Sequence, residues 1–419
     1  MIKKILIFSI VWLITILITI IWTFENPEKI EIIKSNFKKE KIPEINISDK
    51  NTQEFIANSF SVKVEKVLDL SEKTAFIIYK DKKDIFDEKK LEIFTQNGMI
   101  IKNLEPKKIN LPDNFTLQRN GGIKTIISYK EKRIALISSR EKNCFFASLF
   151  LINGKKELFR SACLPEVAKN NDFNGLGSSN IHLENKILFS LGTPEKHASK
   201  NSLLAQSDNS KFGKILQIKK DNLNNAIVNS SNKLEIGIFS KGHRVPQGLT
   251  ILNNEVFNVE HGPKGGDELN KVKEGKNFGW PKVSYGTNYL KDDGGDGSSF
   301  SVNHEQNNFE EPLFAFVPSV GISSLNNCPQ VIKDYYKKNC LIALSLYGNN
   351  LRKGHSLIIF LLNDKLNKVE SIEKIQLGNL VLRHFVTDDK NILYEDKSGN
   401  IYVSADKKGI YKIKFYNFR

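Results

Sequence analysis

A strand–turn–strand unit recurs six times along this chain of 419 residues, and no other feature narrows its fold as far. It reads TAFIIYKD with KKLEIFTQNG from Thr74, and RIALISSR with CFFASLFLING from Arg133. It returns as KILFSLG with FGKILQIKKD from Lys186 and as EVFNVEHG with DELNKVKEG from Glu255. The last two copies are CLIALSLYG with SLIIFLLND from Cys340, and NIYVSADKKGIYKIKF from Asn400. The copies stand at irregular intervals of roughly 50 to 85 residues, a length with room for four strands. Units of this kind bury their apolar faces by stacking on one another, so the predicted fold is all-β, a six-bladed β-propeller closed around a channel. A β-sandwich with coincidentally similar strand pairs is the alternative. Hydrophobic residues make up 40% of the chain, enough for a sizeable core.

Lys3 and Lys4 precede an apolar run from Ile5 to Thr23, about long enough to cross a hydrocarbon layer of roughly 30 Å as a helix. No small-residue cleavage signal follows it. The reading is a signal anchor and transmembrane helix over 1–24, a charged linker or stalk over 25–61, and the propeller over 62–419. The body then lies on the extracytoplasmic (periplasmic) face, anchored to the inner membrane by that single helix. A cleaved signal peptide is the alternative, and it also exports the body. The cysteines agree with export: Cys144 and Cys163 flank one predicted hairpin, Cys328 and Cys340 one short polar loop, and both local pairs are expected as disulfides.

The net charge of +15 comes from lysines scattered through every segment, with no nucleic-acid motif beside them, so a nucleic-acid partner is not expected. Phosphate-loop, nicotinamide and serine or cysteine triad signatures are lacking too. Chemistry concentrates instead between Gly242 and Tyr285, GHRVPQGLTILNNEVFNVEHGPKGGDELNKVKEGKNFGWPKVSY. Here an apolar strand is held between two loops, His243 to Gly248 and Glu260 to Glu268, whose Gly-Pro and Gly-Gly steps can turn backbone groups toward a ligand. Arg244 and Gln247 reach the same region, a lining suited to a planar anion. On a propeller both loops are expected on one face of the ring.

GHRVPQGL, EHGPKGGDELN and GKNFGWPKVSYG together resemble the signature of the soluble aldose sugar dehydrogenases that use pyrroloquinoline quinone (PQQ), a glucose/sorbosone dehydrogenase-type family of six-bladed propellers. Weaker echoes are NGGIKTIISY near Asn120, FGKILQIKKD, FVPSVGISS near Pro318 and VLRHF near Arg383. The resemblance implies hydride transfer from a sugar to the quinone, a histidine base taking the hydroxyl proton, and calcium with an arginine stabilising the charge that develops on the quinone. Arg244 matches that catalytic arginine. Asn120, Arg244, Gln247, Gly262, Pro263 and Arg383 match cofactor contacts. The carbonyls of Gly262 and Pro263 match calcium ligands beside the cofactor, and Glu268 with the carbonyl of Phe278 matches a second calcium site, hard oxygens of the kind calcium takes.

The departures matter equally. Where the family keeps its histidine base, this chain reads FNGLGSSNIHL, with Asn174, Gly175 or Leu176 in its place; His182 is expected to be a strand side chain. Val381 stands where Arg383 should have an arginine partner, and Asn120 where the first glycine motif carries glutamine. Two functions follow: a PQQ- and calcium-dependent dehydrogenase of an aldose or related alcohol with an unknown electron acceptor, or a non-catalytic propeller binding a glycan or protein. A hydrolase or lactonase is a third, weaker reading. KDDGGDGSSF from Lys291 is read as a solvated loop, His261 as orienting its own loop, and Trp280 with Pro281 as a packing corner.

Overall fold

The computed structural model describes residues 45–47 and 52–419, except 81–84, 165–171, 196–200, 230–233, 291–294 and 348–354, together with positions 12 and 15. Strands β1 (Ile45–Ile47) and β2 (Thr52–Ile56) pair with β3 (Ser61–Leu70). The first blade follows with β4 (Thr74–Tyr79), β5 (Leu91–Thr95), β6 (Met99–Lys102) and β7 (Glu105–Lys108), and the second with β8 (Ile123–Tyr129), β9 (Lys132–Glu141), β10 (Cys144–Leu151) and β11 (Lys156–Arg160). The third holds β12 (Asn180–His182), β13 (Lys186–Leu191), β14 (Lys214–Lys219) and β15 (Gly237–Lys241). The fourth holds β16 (Val245–Leu252), β17 (Glu255–His261), β18 (Asp267–Val272) and β19 (Phe314–Phe316). The fifth holds β20 (Ile322–Asn327), β21 (Asn339–Ser345), β22 (Ser356–Leu362) and β23 (Val369–Gln376). The sixth is β24 (Leu382–Phe385), β25 (Ile401–Ala405) and β26 (Gly409–Tyr416), completed by β3.

The first strands of the six blades touch one another in cyclic order, β4, β8, β12, β16, β20, β24 and back to β4, so they line the axis of a six-bladed β-propeller. The ring shuts where β3, from the beginning of the chain, pairs with β26 at its end, Ser61 opposite Tyr416 and Leu68 opposite Ile410. The linker expected over 25–61 is therefore shorter, because β1 and β2 lie against the free edge of β3 and extend the closing sheet. Among the described residues no helix is long and apolar enough to cross a membrane, and the expected anchor lies outside them.

The apolar runs are nearly continuous, not alternating, because each central strand is buried on both faces. In CLIALSLYG, Cys340, Ile342 and Leu344 pack toward the sixth blade, whereas Leu341 and Ala343 pack toward the fourth. The period of two along a strand thus sorts one apolar run into two cores. Six such cores arise, one between each pair of neighbouring blades. Both expected disulfides, Cys144–Cys163 and Cys328–Cys340, are present.

Candidate functional site

The two unusual loops meet at one end of the fourth blade. Val245 pairs with His261 and Glu260 with Glu268, so the approach to β16 and the turn from β17 to β18 share a face, as expected. Gly242 makes the approach possible: its φ is 77°, and a Cβ there would lie 2.2 Å from Asn277 Oδ1. The next residue, His243, is buried and stacked on Phe278, with Nδ1 2.9 Å from Glu260 Oε2 and Nε2 2.8 Å from Ser240 Oγ. It fixes the orientation of the Glu260 carboxylate. On the other loop, Asp267 Oδ2 accepts from the amides of Val320, Gly321 and Ile322 at 3.1, 2.6 and 3.1 Å, while Oδ1 accepts from Gly262 N at 3.2 Å.

A cavity opens on the axis, lined by Thr74 and Ala75 of β4, Ile123 and Lys124 of β8, Gln247 of β16, Arg383 and His384 of β24, with Gln96, Gly177 and Ser178. Five of the six blades therefore contribute through or just before their innermost strand. Lys124 is only 7% exposed, and its Nζ donates to the carbonyl of Asn120 at 2.6 Å. Burial brings its pKa down to about 7, with Asp172 opposing and Arg383 and Lys73 adding to the shift. Arg383 is held by Asp406 through Nε and Nη2, each at 2.5 Å. His384 is pushed down to about 3 by burial and the Arg383 charge, so it is neutral near pH 7. Deeper along the same strands, the turn after β24 crosses the axis: Asn391 Nδ2 donates to Asn180 O at 2.9 Å, and Asn391 O accepts from Asn326 Nδ2 at 3.0 Å.

A second cavity is lined by Arg244, Glu260, His261, Gly262, Glu268, Phe278, Trp280, Val283 and Ser284. The Arg244 guanidinium lies 5.3 Å from the Trp280 ring and donates through Nη1 to Gly262 O at 2.6 Å. Burial and then the neighbouring Glu260 hold the Glu268 carboxyl well above the ordinary carboxylate range. Among the described residues, no three acidic, histidine or cysteine side chains converge as a ready metal site. A cation held here would lean on carbonyl oxygens as well as on glutamate.

The expected site residues thus divide between two cavities. Gln247 and Arg383 face the axis, and Asn120 joins them through its carbonyl, while its side chain donates to Asp172 Oδ1 at 3.1 Å. Arg244, Gly262, Glu268 and Phe278 face the second cavity, with Pro263 next in its loop. Arg244, expected against the cofactor with Gln247, lines the second cavity from the loop before β16, whereas Gln247, within the strand, lines the axial one. The Gly262 carbonyl, expected as a calcium ligand, is engaged by the guanidinium.

His182 lies in the paired part of β12, opposite Ile187, and is absent from both cavities. Trp280 is buried, as a packing corner should be, and Asp296 Oδ1 caps Ser298 within its own loop; residues 291–294 of that loop lie outside the described ones. Sequence reasoning missed Lys124, Gln96, Ser178 and His384 on the axis and Glu260 in the second cavity. For Lys124 the available signal was its place two residues beyond the paired glycines of NGGIK, where an apolar strand begins.

Residues 152–355 match the family model described as Glucose / Sorbosone dehydrogenase. The aldose sugar dehydrogenase YliI of Escherichia coli is 35% identical over 94 residues, 21% of this chain and 23% of that protein. The quinoprotein glucose dehydrogenase B of Acinetobacter calcoaceticus is 36% identical over 85 residues, 20% of this chain and 17% of that one. The matched stretches therefore span less than a quarter of these relatives' length. In three dimensions, the PQQ-bound form of aldose sugar dehydrogenase from Streptomyces coelicolor superposes with a TM-score of 0.54 at 15% identity, over 88% of this chain and 98% of that one, which shows the shared fold.

Proposed function

We propose that this chain, whose residues 152–355 match the Glucose / Sorbosone dehydrogenase family model, is a PQQ- and calcium-dependent dehydrogenase that oxidises an aldose sugar or related alcohol by hydride transfer to the quinone. The observation that carries the reading is the axial cavity, where a guanidinium, two glutamine side chains and a lysine amine line one space that opens to solvent. That donor set fits a planar carboxylated quinone, since Arg offers carboxylates a fixed fork of donors and the glutamine amides add neutral ones. When bound, PQQ supplies the two-electron acceptor. The protein's own part is to position and exclude: Arg383, braced by Asp406, holds a fixed cation at the rim, and Gln247 is oriented by Ser178 Oγ, which donates to its Oε1 at 2.9 Å.

Calcium suits the second cavity for a separate reason. Glu268 and Glu260 stand opposite each other on neighbouring strands, and the burden that burial puts on Glu268 is one that a hard cation relieves. Export to the extracytoplasmic face, with the helix over 1–24 as anchor, is part of the same proposal. Its support is the Lys3–Lys4 and apolar pattern together with two disulfides, which persist in oxidising compartments. The electron acceptor is a separate partner.

The test is titration of the purified protein with PQQ and calcium, following quinone absorbance as a panel of aldoses is added. Calcium-dependent binding with sugar-driven bleaching is the expected result. Absence of quinone binding would favour a non-catalytic propeller that binds a glycan or protein, the reading that the missing histidine in FNGL supports.

A further inference from the structure

We propose that Lys124 is the proton acceptor of this site, taking the substrate hydroxyl proton in the absence of a histidine at 174–176; the proposal rests on the dehydrogenase reading above. Position is the first argument. Lys124 rises from β8 into the axial cavity, and Gly177 and Ser178, which directly follow the FNGL stretch, line the same cavity. The Lys124 amine thus shares a cavity with the segment that directly follows the stretch from which the histidine is missing.

Its surroundings are the second argument. Arg383 and Lys73 face it as cations and Asp172 as a carboxylate, while Asp406 is committed to Arg383. Burial disfavours protonation, Asp172 opposes that shift, and Arg383 and Lys73 add to it, bringing the group to about 7. A lysine so tuned is half in its base form near neutral pH, which is where a general base works best. Its Nζ donates one hydrogen bond, to Asn120 O at 2.6 Å, and Asn120 Nδ2 donates in turn to Asp172, so the amine is oriented by a short chain of contacts. His384 lines the same cavity, but at about 3 it is too weak a base to compete.

The O–H proton would pass to Lys124 Nζ as the O–H bond breaks and the carbon–oxygen double bond forms. PQQ, when bound, would supply the two-electron acceptor for the hydride released from the carbinol carbon, so that the sugar would lose two electrons and the quinone gain two. The proton leaves to solvent through the open end of the cavity.

The experiment uses the full chain loaded with PQQ and calcium. Expected is a kcat/KM that rises with pH through about 7 as the amine loses its proton. Lys124→Met and Lys124→Arg should lower kcat by roughly 10²- to 10⁴-fold, with the quinone still bound and thermal unfolding showing an intact fold. Small primary amines added to Lys124→Ala should restore part of the rate, which a purely structural lysine would not allow. A readout independent of turnover is the titration of the quinone-free protein after reductive carbon-13 methylation of its lysines. The resonance lost in Lys124→Arg should titrate near 7, and a midpoint at the ordinary lysine value of about 10.4 would overturn the assignment. Undiminished turnover in both the Met and Arg variants would overturn it as well. A wild-type protein that binds the quinone but reduces it with no sugar would sink the dehydrogenase reading itself, and the lysine's role with it; the other two results remove only the lysine.

Discussion

Arg244 carries a different load from the one its motif suggests. Its guanidinium ties the approach to β16 to the Gly262 carbonyl and stacks over Trp280, within a cavity that also holds Glu260 and Glu268. A hydrogen bond from a charged donor contributes about 1.5–3 kcal/mol. Arg244→Ala is therefore expected to lower stability by about 2 kcal/mol or more, read as a shift of the urea midpoint, with Arg244→Lys recovering part of the loss. An unchanged midpoint in the alanine variant would mean that the guanidinium is not holding the loop. Of the residues in this motif, the role of Gly242 was legible in the sequence, since a glycine before an extended strand marks a backbone that must bend. The partner of Arg244 was not, because which carbonyl a guanidinium meets depends on a loop 18 residues downstream.

The element that organises the site is the turn between β17 and β18, and Asp267 is its keystone. One carboxylate gathers four buried amides, three from the segment leading into β20 of the next blade and one from Gly262. Replacing it by alanine strands donors that cost about 1–3 kcal/mol each when left unpaired, so Asp267→Ala should lower stability by more than about 3 kcal/mol. Asp113→Ala, at an exposed position, should stay within about 0.5 kcal/mol. Denaturant unfolding of the two variants checks this, and similar midpoints would show that the turn is held by other contacts. The sequence marked this loop through its glycines and proline. It did not mark Asp267, because an aspartate that caps a neighbouring blade looks the same in sequence as one that faces water.

At the scale of the whole molecule, one half-buried and one buried histidine, His182 and His384, set part of the acid response. Burial, with Lys220 and Lys390 nearby, lowers His182 to about 4, and burial with Arg383 lowers His384 to about 3. Above the unfolded value of about 6.5 both states are neutral and the histidines cost nothing. As pH falls below that value the unfolded chain takes up protons that the folded chain refuses, so stability declines through the folded values. Glu268, raised in the folded state, acts in the opposite sense, so the informative comparison is with a variant. The stability of His182→Gln relative to wild type should improve as pH falls from 6.5 to 4.5, measured by thermal unfolding across that range. A pH-independent difference between the two would place the ring in a more solvated environment.

What the sequence determined by itself is what depends on neighbours along the chain. Strand pairs, their number and the two short disulfides follow from apolar runs and turns within a few tens of residues, because burial on both faces leaves an unbroken apolar signature in each central strand. The tertiary structure decided which side chains meet. Lys124, Gln247 and Arg383 belong to the second, fourth and sixth blades and reach one cavity only because the ring closes and brings their inner strands to a common axis. Arg244, in the loop before β16, and Gln247, within that strand, stand three residues apart and line different cavities, since side chains an odd number of residues apart along an extended chain point to opposite sides. Closure itself, through β3 and β26, joins segments from opposite ends of the chain, and no local pattern encodes that pairing.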